Sequence, residues 1–98
     1  MLETFSLETF VNHVGEEFLV TPAEGEPVTV RLVEATSLGP APHAGGRAPF
    51  SLIFGDSPRA VLPQGIHAMR HETIGAFELF IVPLQPDRSG PLFQAVFN

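Results

Sequence analysis

The sequence predicts an all-β fold in which about six antiparallel strands form a small barrel or a strongly curled sheet, with one short amino-terminal helix. After Gly15, apolar and polar residues alternate with a period of two. Turns containing Gly or Pro separate these segments, and no helix-length segment lies between them to make a parallel crossover. Several segments are apolar on both faces. Closure around a core is therefore favoured over a flat sheet, with a compact sandwich as the alternative.

The length and composition predict one packed domain spanning residues 1–98. Ninety-eight residues suffice for one hydrophobic core but not for two. The hydrophobic fraction of 44% and the charged fraction of 16% lie outside the range of disordered chains. All nine aromatic residues are phenylalanines, which suit a dry core because their rings carry no polar group.

The net charge and the missing residue types exclude several functions. The chain has no cysteine and no lysine, which excludes disulfides, thiolate nucleophiles, sulfur-based zinc sites and a catalytic lysine. A formal charge of -6 repels phosphate backbones, so we expect no nucleic-acid partner. The longest apolar stretch, from Phe77 to Leu84, is too short to cross a bilayer, and the amino terminus does not resemble a secretory signal. We expect no membrane partner and a cytoplasmic location.

The helix is predicted from about Leu7 to Val14. Ser6 can act as its N-cap, and Gly15 can end it. Phe10 and the other apolar residues of this segment have helical spacing, so one face can lie on the core and plug one end or side of the sheet.

The strands are predicted from the period-two segments that follow the helix. They read EEFLVTP, PVTVRLVEA, PFSLIF, IHAMRH, AFELFIVPL and LFQAVFN. The first two form a hairpin across the turn AEGEP, and the last is expected to end at a sheet edge. The segment from Gly39 to Pro49, GPAPHAGGRAP, has no period and is predicted to be a long surface loop.

The stretch LPQGIHAMRHE carries two histidines four residues apart, His67 and His71. In a helix they would share one face and could bind one metal ion. The flanking glycines and the alternation favour a strand, where four residues span about 13 Å, too far for one metal. We therefore expect ordinary strand residues, with Ile66 and Ala68 facing the core; a metal site here would need further ligands from a neighbouring strand.

The residue types used by serine hydrolases and glycosidases occur in the sequence, but not in the arrangements that these enzymes require. Ser51, Ser57 and Asp56 occur without a Gly-x-Ser-x-Gly elbow, and GDSP is typical of a turn. Glu16 and Glu17 are adjacent and should point to opposite faces of a strand, unlike the paired carboxylates of a glycosidase. We assign no catalytic residue, no cofactor and no metal ligand.

The loop HAGGRAP could bring backbone amides towards an anion, with Arg47 adding charge. It lacks phosphate-loop spacing and a following lysine, so a flexible loop tip is the simpler interpretation. A recognition loop, if the protein has one, is expected between Gly39 and Pro49.

Several segments together resemble a known family. They are LETFVNHVGEEF, RAPFSL, LPQG followed by a strand, ELFIVPL, and the terminal AVFN. Their order and spacing are similar to those of a family of small bacterial proteins described only as a domain of unknown function. The resemblance implies no reaction or catalytic residue; it implies a structural role, as an accessory of a larger, phage-tail-like assembly.

The leading hypothesis is a non-catalytic structural or protein-interaction module that associates with itself as a homo-oligomer or with a protein partner. Its basis is the apolar character of both strand faces. The alternatives are a carrier of a small apolar ligand and, in third place, an enzyme using His67 or His71. Protonation of the four histidines near a pH of about 6.5 should also change solubility or oligomer size as the pH approaches the pI of about 5.0.

Overall fold

A computed structural model describes residues 5–57, 60–88 and 90–97. Within them the chain forms one helix and six strands, α1 (Leu7–Val11), β1 (Glu17–Thr21), β2 (Val28–Ser37), β3 (Phe50–Gly55), β4 (Gly65–His71), β5 (Gly75–Asp87) and β6 (Gly90–Phe97). The predicted turn residues Pro58 and Ser89 and the predicted final strand residue Asn98 lie outside the described residues.

The six strands form a closed antiparallel barrel in the order β1-β2-β3-β6-β5-β4. The pairing of β1 with β4, which includes Val20 opposite Met69, closes it. The prediction of an all-β fold with one short helix is confirmed, and the barrel is the correct choice among the architectures considered. The long loop between β2 and β3 is also as predicted.

The last strand is not at a sheet edge, and that expectation was wrong. β6 lies between β3 and β5 and pairs with both, as at Ser51 opposite Val96 and Val82 opposite Gln94. Each of the six described strands has a neighbour on both sides, but the pairing does not run along their full lengths, and residues Glu34–Ser37 of β2 pair with β3 alone.

The helix covers one end of the barrel. The ring of Phe10 is fully buried and lies 5.6–6.5 Å from rings on four different strands. These rings are Phe18, Phe50, Phe77 and Phe97. A side chain that touches four strands of a closed barrel lies near its axis, so Phe10 is the plug that the sequence predicted.

The helix is shorter than predicted, because the chain turns towards β1 after Val11. Gly15 has a φ of 94°, a conformation that suits glycine, and its N–H donates to the carbonyl of Leu32. Val11 and Val14 are left largely exposed. None of the described helices is long and apolar enough to span a bilayer.

The core consists of the inward-facing residues of all six strands together with the helix. On β4, however, the inward residues are His67, Met69 and His71, whereas Ile66 is 63% exposed and Ala68 is exposed. The expectation that Ile66 and Ala68 face the core was therefore wrong. The pairing explains it: directly opposite residues share a face, and Met69 lies opposite Phe77, which faces inward.

Candidate functional site

Three polar side chains converge near the helix end of the barrel, and we call them the His-Glu cluster: His13, Glu16 and His71. His13 follows α1, Glu16 precedes β1, and His71 ends β4. Their ligand-type atoms all lie within 4.8 Å of one another. Segments that are 55 residues apart in sequence are thereby joined by direct contacts.

His71 is the buried member, with 3% of its side chain exposed. Its Nδ1 accepts hydrogen bonds from the backbone N–H groups of Thr73 and Ile74, at 3.0 and 3.1 Å. A ring nitrogen that accepts amide protons carries none itself, so the proton of the neutral ring is on Nε2. Nε2 donates to Oε1 of Glu16 at 2.7 Å. The ring also packs against Phe18, with centroids 4.5 Å apart.

Glu16 accepts from both histidines through the same oxygen. His13 Nδ1 lies 2.9 Å from Oε1, and His71 Nε2 lies 2.7 Å from it. The hydrogen bonds from His13 and then from His71 hold the pKa of Glu16 below its ordinary value of 4.5, because both stabilise the carboxylate. The cluster is thus a charged acceptor held between two imidazole donors.

Two histidines and a glutamate are a ligand set that zinc accepts, but the hydrogen bonds fit a metal poorly. A metal at Nε2 of His71 would displace the proton found there. The proton could move only to Nδ1, where the N–H groups of Thr73 and Ile74 already point. Ligating histidines normally donate from their second nitrogen, whereas this one accepts. The cluster is better described as a hydrogen-bonded link between the helix–β1 junction and the β4–β5 turn.

His13 is the member of the His-Glu cluster that could still accept a proton or a hydrogen bond. Because its Nδ1 donates to Glu16, the lone pair of the neutral ring is on Nε2, which has no hydrogen-bond partner among the described residues, and the side chain is 20% exposed. An imidazole oriented by a carboxylate is the pattern of a general base. A base also requires a nucleophile or substrate within reach, and among the described residues the hydrogen-bond and ring contacts of this side chain are with Glu16 and His71.

His67 lies on the same inward face as His71 but has separate contacts. Its Nε2 donates to the carbonyl of Pro63 at 2.7 Å. Its Nδ1 is buried and has no hydrogen-bond partner in the described part of the chain. The two histidines of the LPQGIHAMRHE stretch therefore form hydrogen bonds with different residues.

The remaining sequence candidates are dispersed. Asp56 directly follows β3, has a φ of 55°, and accepts from Nε of Arg31 at 2.8 Å. Glu17 lies 3.6 Å from the same guanidinium, while Glu16 points to His71, so the adjacent glutamates diverge as predicted. Ser51 is buried on β3, beside Gln94.

The loop before β3 lines a depression of about 540 Å³ together with the start of α1. Arg47, considered for anion binding, donates from Nη1 to the carbonyl of Phe5, and its guanidinium lies 5.3 Å from the centroid of the Phe97 ring. The guanidinium thus packs the loop against the helix end of the barrel.

The outward surface of the β4–β5 hairpin is the other unusual region, and we call it the hairpin face. It contains six exposed residues in three directly opposite pairs, Ile66 with Phe80, Ala68 with Glu78, and Arg70 with Ala76. Ile66 is 63% exposed and Phe80 is 50% exposed. Neighbouring Val82 is half-buried, and Val96 on β6 is 48% exposed.

Sequence reasoning missed His13 as a partner of Glu16 and inverted the faces of β4. The three-residue spacing of His13 and Glu16 across Gly15 was a weak signal that these two side chains could meet in a turn. No comparable signal connects either residue with His71. The apolar character of Ile66 pointed to the wrong face, because an exposed isoleucine is unusual.

Comparison with known proteins bears on the family of this chain. No curated protein and no solved structure matches it. A family model described as a domain of unknown function, DUF6916, matches residues 5–97. The match includes the described helix and all six described strands, and it agrees with the resemblance found in the sequence. The chain belongs to this family.

Proposed function

We propose that this protein is a non-catalytic structural or protein-interaction module that binds its partner through the hairpin face. The observation that carries the proposal is the directly opposed pair Ile66 and Phe80, both at least half exposed on the outside of the barrel. Two large apolar side chains side by side on a solvent-facing sheet form the kind of patch that partners cover.

The core does not need these two side chains. Helix and strand residues such as Phe10, Phe18 and Phe54 already fill the barrel interior with fully buried rings. Covering an exposed Ile or Phe side chain is worth roughly 1.5–3 kcal/mol when its burial is complete. Burial of these two exposed side chains by a partner would therefore add stabilisation that folding alone does not provide.

The closed barrel restricts how a partner can bind. Each of the six described strands has neighbours on both sides along part of its length, which limits the edges to which a partner could add a strand by backbone pairing. Binding through side chains on an outer face fits this geometry. A role as an accessory of a larger, phage-tail-like assembly is a finer form of the proposal, and it rests on the family resemblance alone.

The two alternatives have less support. A carrier needs a cavity, and the described part of the barrel interior holds closely packed phenylalanine and aliphatic side chains. An enzyme based on His71 needs a free ring nitrogen, and both nitrogens of His71 are engaged in hydrogen bonds. His67 has a free nitrogen, but that atom is buried.

Affinity capture with the intact protein tests the proposal. The wild-type chain and Phe80→Ser are each immobilised and exposed to an extract of the cells that encode the protein, and captured proteins, including the chain itself, are quantified by mass spectrometry. Phe80→Ser should lose a protein that the wild type captures. Val33→Ser is the control, because Val33 is 47% exposed on β2, three strands away around the barrel. Identical capture by wild type and Phe80→Ser, with both chains folded, would overturn the proposal.

A further inference from the structure

We infer that the partner of the hairpin face is a second copy of this chain, arranged about a two-fold axis. The inference rests on the proposed function and specifies the partner. Its basis is the self-complementary order of the six exposed residues on β4 and β5.

The register of the hairpin determines what a two-fold axis would bring together. An axis that runs along the strands, midway between β4 and β5, exchanges the two positions of every opposite pair. Ile66 then meets the partner's Phe80, because these residues are opposite one another within one chain. By the same exchange, Ala68 meets the partner's Glu78, and Arg70 meets the partner's Ala76.

This arrangement matches large side chains with small ones. The long side chains of Arg70 and Glu78 each lie over an alanine of the other copy, where there is room for them. Ile66 and Phe80 form an apolar contact at one end of the face, and the symmetry produces it twice. Two sheets can therefore approach to the usual separation of about 10 Å without a clash between long side chains.

The charges are complementary as well. Within the described part of one chain, neither Arg70 nor Glu78 forms an ion pair. In the dimer, Arg70 lies over the partner's Ala76, two residues along the strand from the partner's Glu78. Two residues span about 7 Å of strand, a distance that an arginine side chain can bridge. The symmetry makes two such pairs, which offset part of the repulsion between copies of charge -6.

A stable interface would extend beyond the six residues of the hairpin face, and β1 offers exposed residues beside it. A stable interface buries about 800 Å² on each partner, which is roughly an eighth of the 6057 Å² accessible surface of this chain. The hairpin face is continued on the neighbouring strand β1 by Leu19 and Thr21, which lie directly opposite Arg70 and Ala68. Both residues are exposed.

Sedimentation equilibrium over a wide concentration range tests the inference. The wild-type chain should form dimers, and Phe80→Ser should weaken dimerisation at least about tenfold. Val33→Ser should leave it unchanged. Arg70→Glu and Glu78→Arg should each weaken the dimer because each places like charges together, again by about tenfold.

Recombining the two charge variants tests the axis itself. The double variant Arg70→Glu/Glu78→Arg exchanges the two charges, so its dimer should regain wild-type affinity. An equimolar mixture of R70E with E78R should form heterodimers, because both ion pairs are then restored between unlike chains. Circular dichroism on each variant confirms that it is folded.

Three outcomes would overturn the inference, and they can be told apart from failure of the proposed function. A wild-type chain that stays monomeric up to about 1 mM excludes a second copy as partner. If Phe80→Ser nevertheless loses another captured protein, the interaction module stands. A dimer that is insensitive to Phe80→Ser uses another surface. A dimer that Phe80→Ser weakens contradicts the proposed axis if the double charge variant does not recover the affinity lost by the single charge variants.

Discussion

The two faces of β4 differ in an unexpected way. Its inward face carries His67, Met69 and His71, whereas its outward face presents Ile66, Ala68 and Arg70. The orientation is set by the neighbouring strands, because Met69 lies opposite Val20 on β1 and Phe77 on β5, and both of these face inward. The comparison shows that a strand in a closed barrel takes its orientation from its partners even when its own isoleucine is then left exposed.

The buried histidines can be compared in the same way. His71 uses both ring nitrogens, in three hydrogen bonds, whereas His67 uses one nitrogen and leaves the other without a partner in the described residues. A buried polar side chain stabilises a fold only when its hydrogen bonds are made. The inward polar residues of β4 should therefore differ in their contributions to stability, and the outward residues should contribute least.

The largest expected effect is that of His71→Ala. It removes the acceptor for two backbone N–H groups and the donor to Glu16, and it leaves a cavity beside Phe18. We expect a loss of about 3 kcal/mol in the free energy of unfolding, measured by urea denaturation. His71→Asn is the matched variant, because an asparagine oxygen can still accept from the turn amides, and it should lose about half as much. Equal losses for the two variants would show that the turn contacts contribute little.

The second expected effect is that the loss of stability caused by Glu16→Gln depends on pH. Hydrogen bonds from His13 and His71 lower the pKa of Glu16 in the folded state below its ordinary value of 4.5. The stabilisation from ionised Glu16 is therefore complete above the ordinary pKa, and it is lost as the pH falls through the lower pKa of the folded state. The stability gap between wild type and Glu16→Gln should be widest near neutral pH and should narrow below pH 4.5.

Thermal unfolding of both proteins between neutral pH and strongly acidic pH measures this gap. Glu26→Gln is the control, because it removes the same charge from an exposed segment between β1 and β2. A gap between wild type and Glu16→Gln that stays constant across the acidic range would contradict the assigned role of the Glu16 carboxylate.

The third effect is that of His67→Leu, which we expect to destabilise the fold by about 1 kcal/mol or less. The substitution removes the hydrogen bond to the Pro63 carbonyl, but it also removes the unpartnered Nδ1 from the interior. Pro63 is exposed, so water can replace the lost donor. Urea denaturation of His67→Leu and His71→Ala compares the contributions of the two histidines to stability. A greater loss of unfolding free energy for His67→Leu than for His71→Ala would contradict the expected order.

Much of the fold could be predicted because it depends on local patterns. The period-two segments, the turn residues and Gly15 are short-range signals, and they located six strands and a helix. The His-Glu cluster could not be predicted, because the contact of Glu16 with His71 depends on barrel closure between β1 and β4. The wrong prediction for β4 has the same origin. The sequence of β4 shows which residues alternate, but the neighbouring strands determine which of the two faces points inward.

The smallest expected effect is that of Ile66→Ala on the stability of the single chain. Ile66 is 63% exposed and its neighbours on the hairpin face are exposed as well, so its truncation should change the free energy of unfolding by less than about 0.5 kcal/mol. Met69→Ala, three residues away on the inward face, is the matched comparison and should cost about 3 kcal/mol. Both values are to be measured at a concentration low enough that the chain is monomeric. If Ile66→Ala destabilised the monomer as much as Met69→Ala, Ile66 would belong to the fold rather than to an interface, and the hairpin face would lose the apolar contact on which the proposed dimer depends.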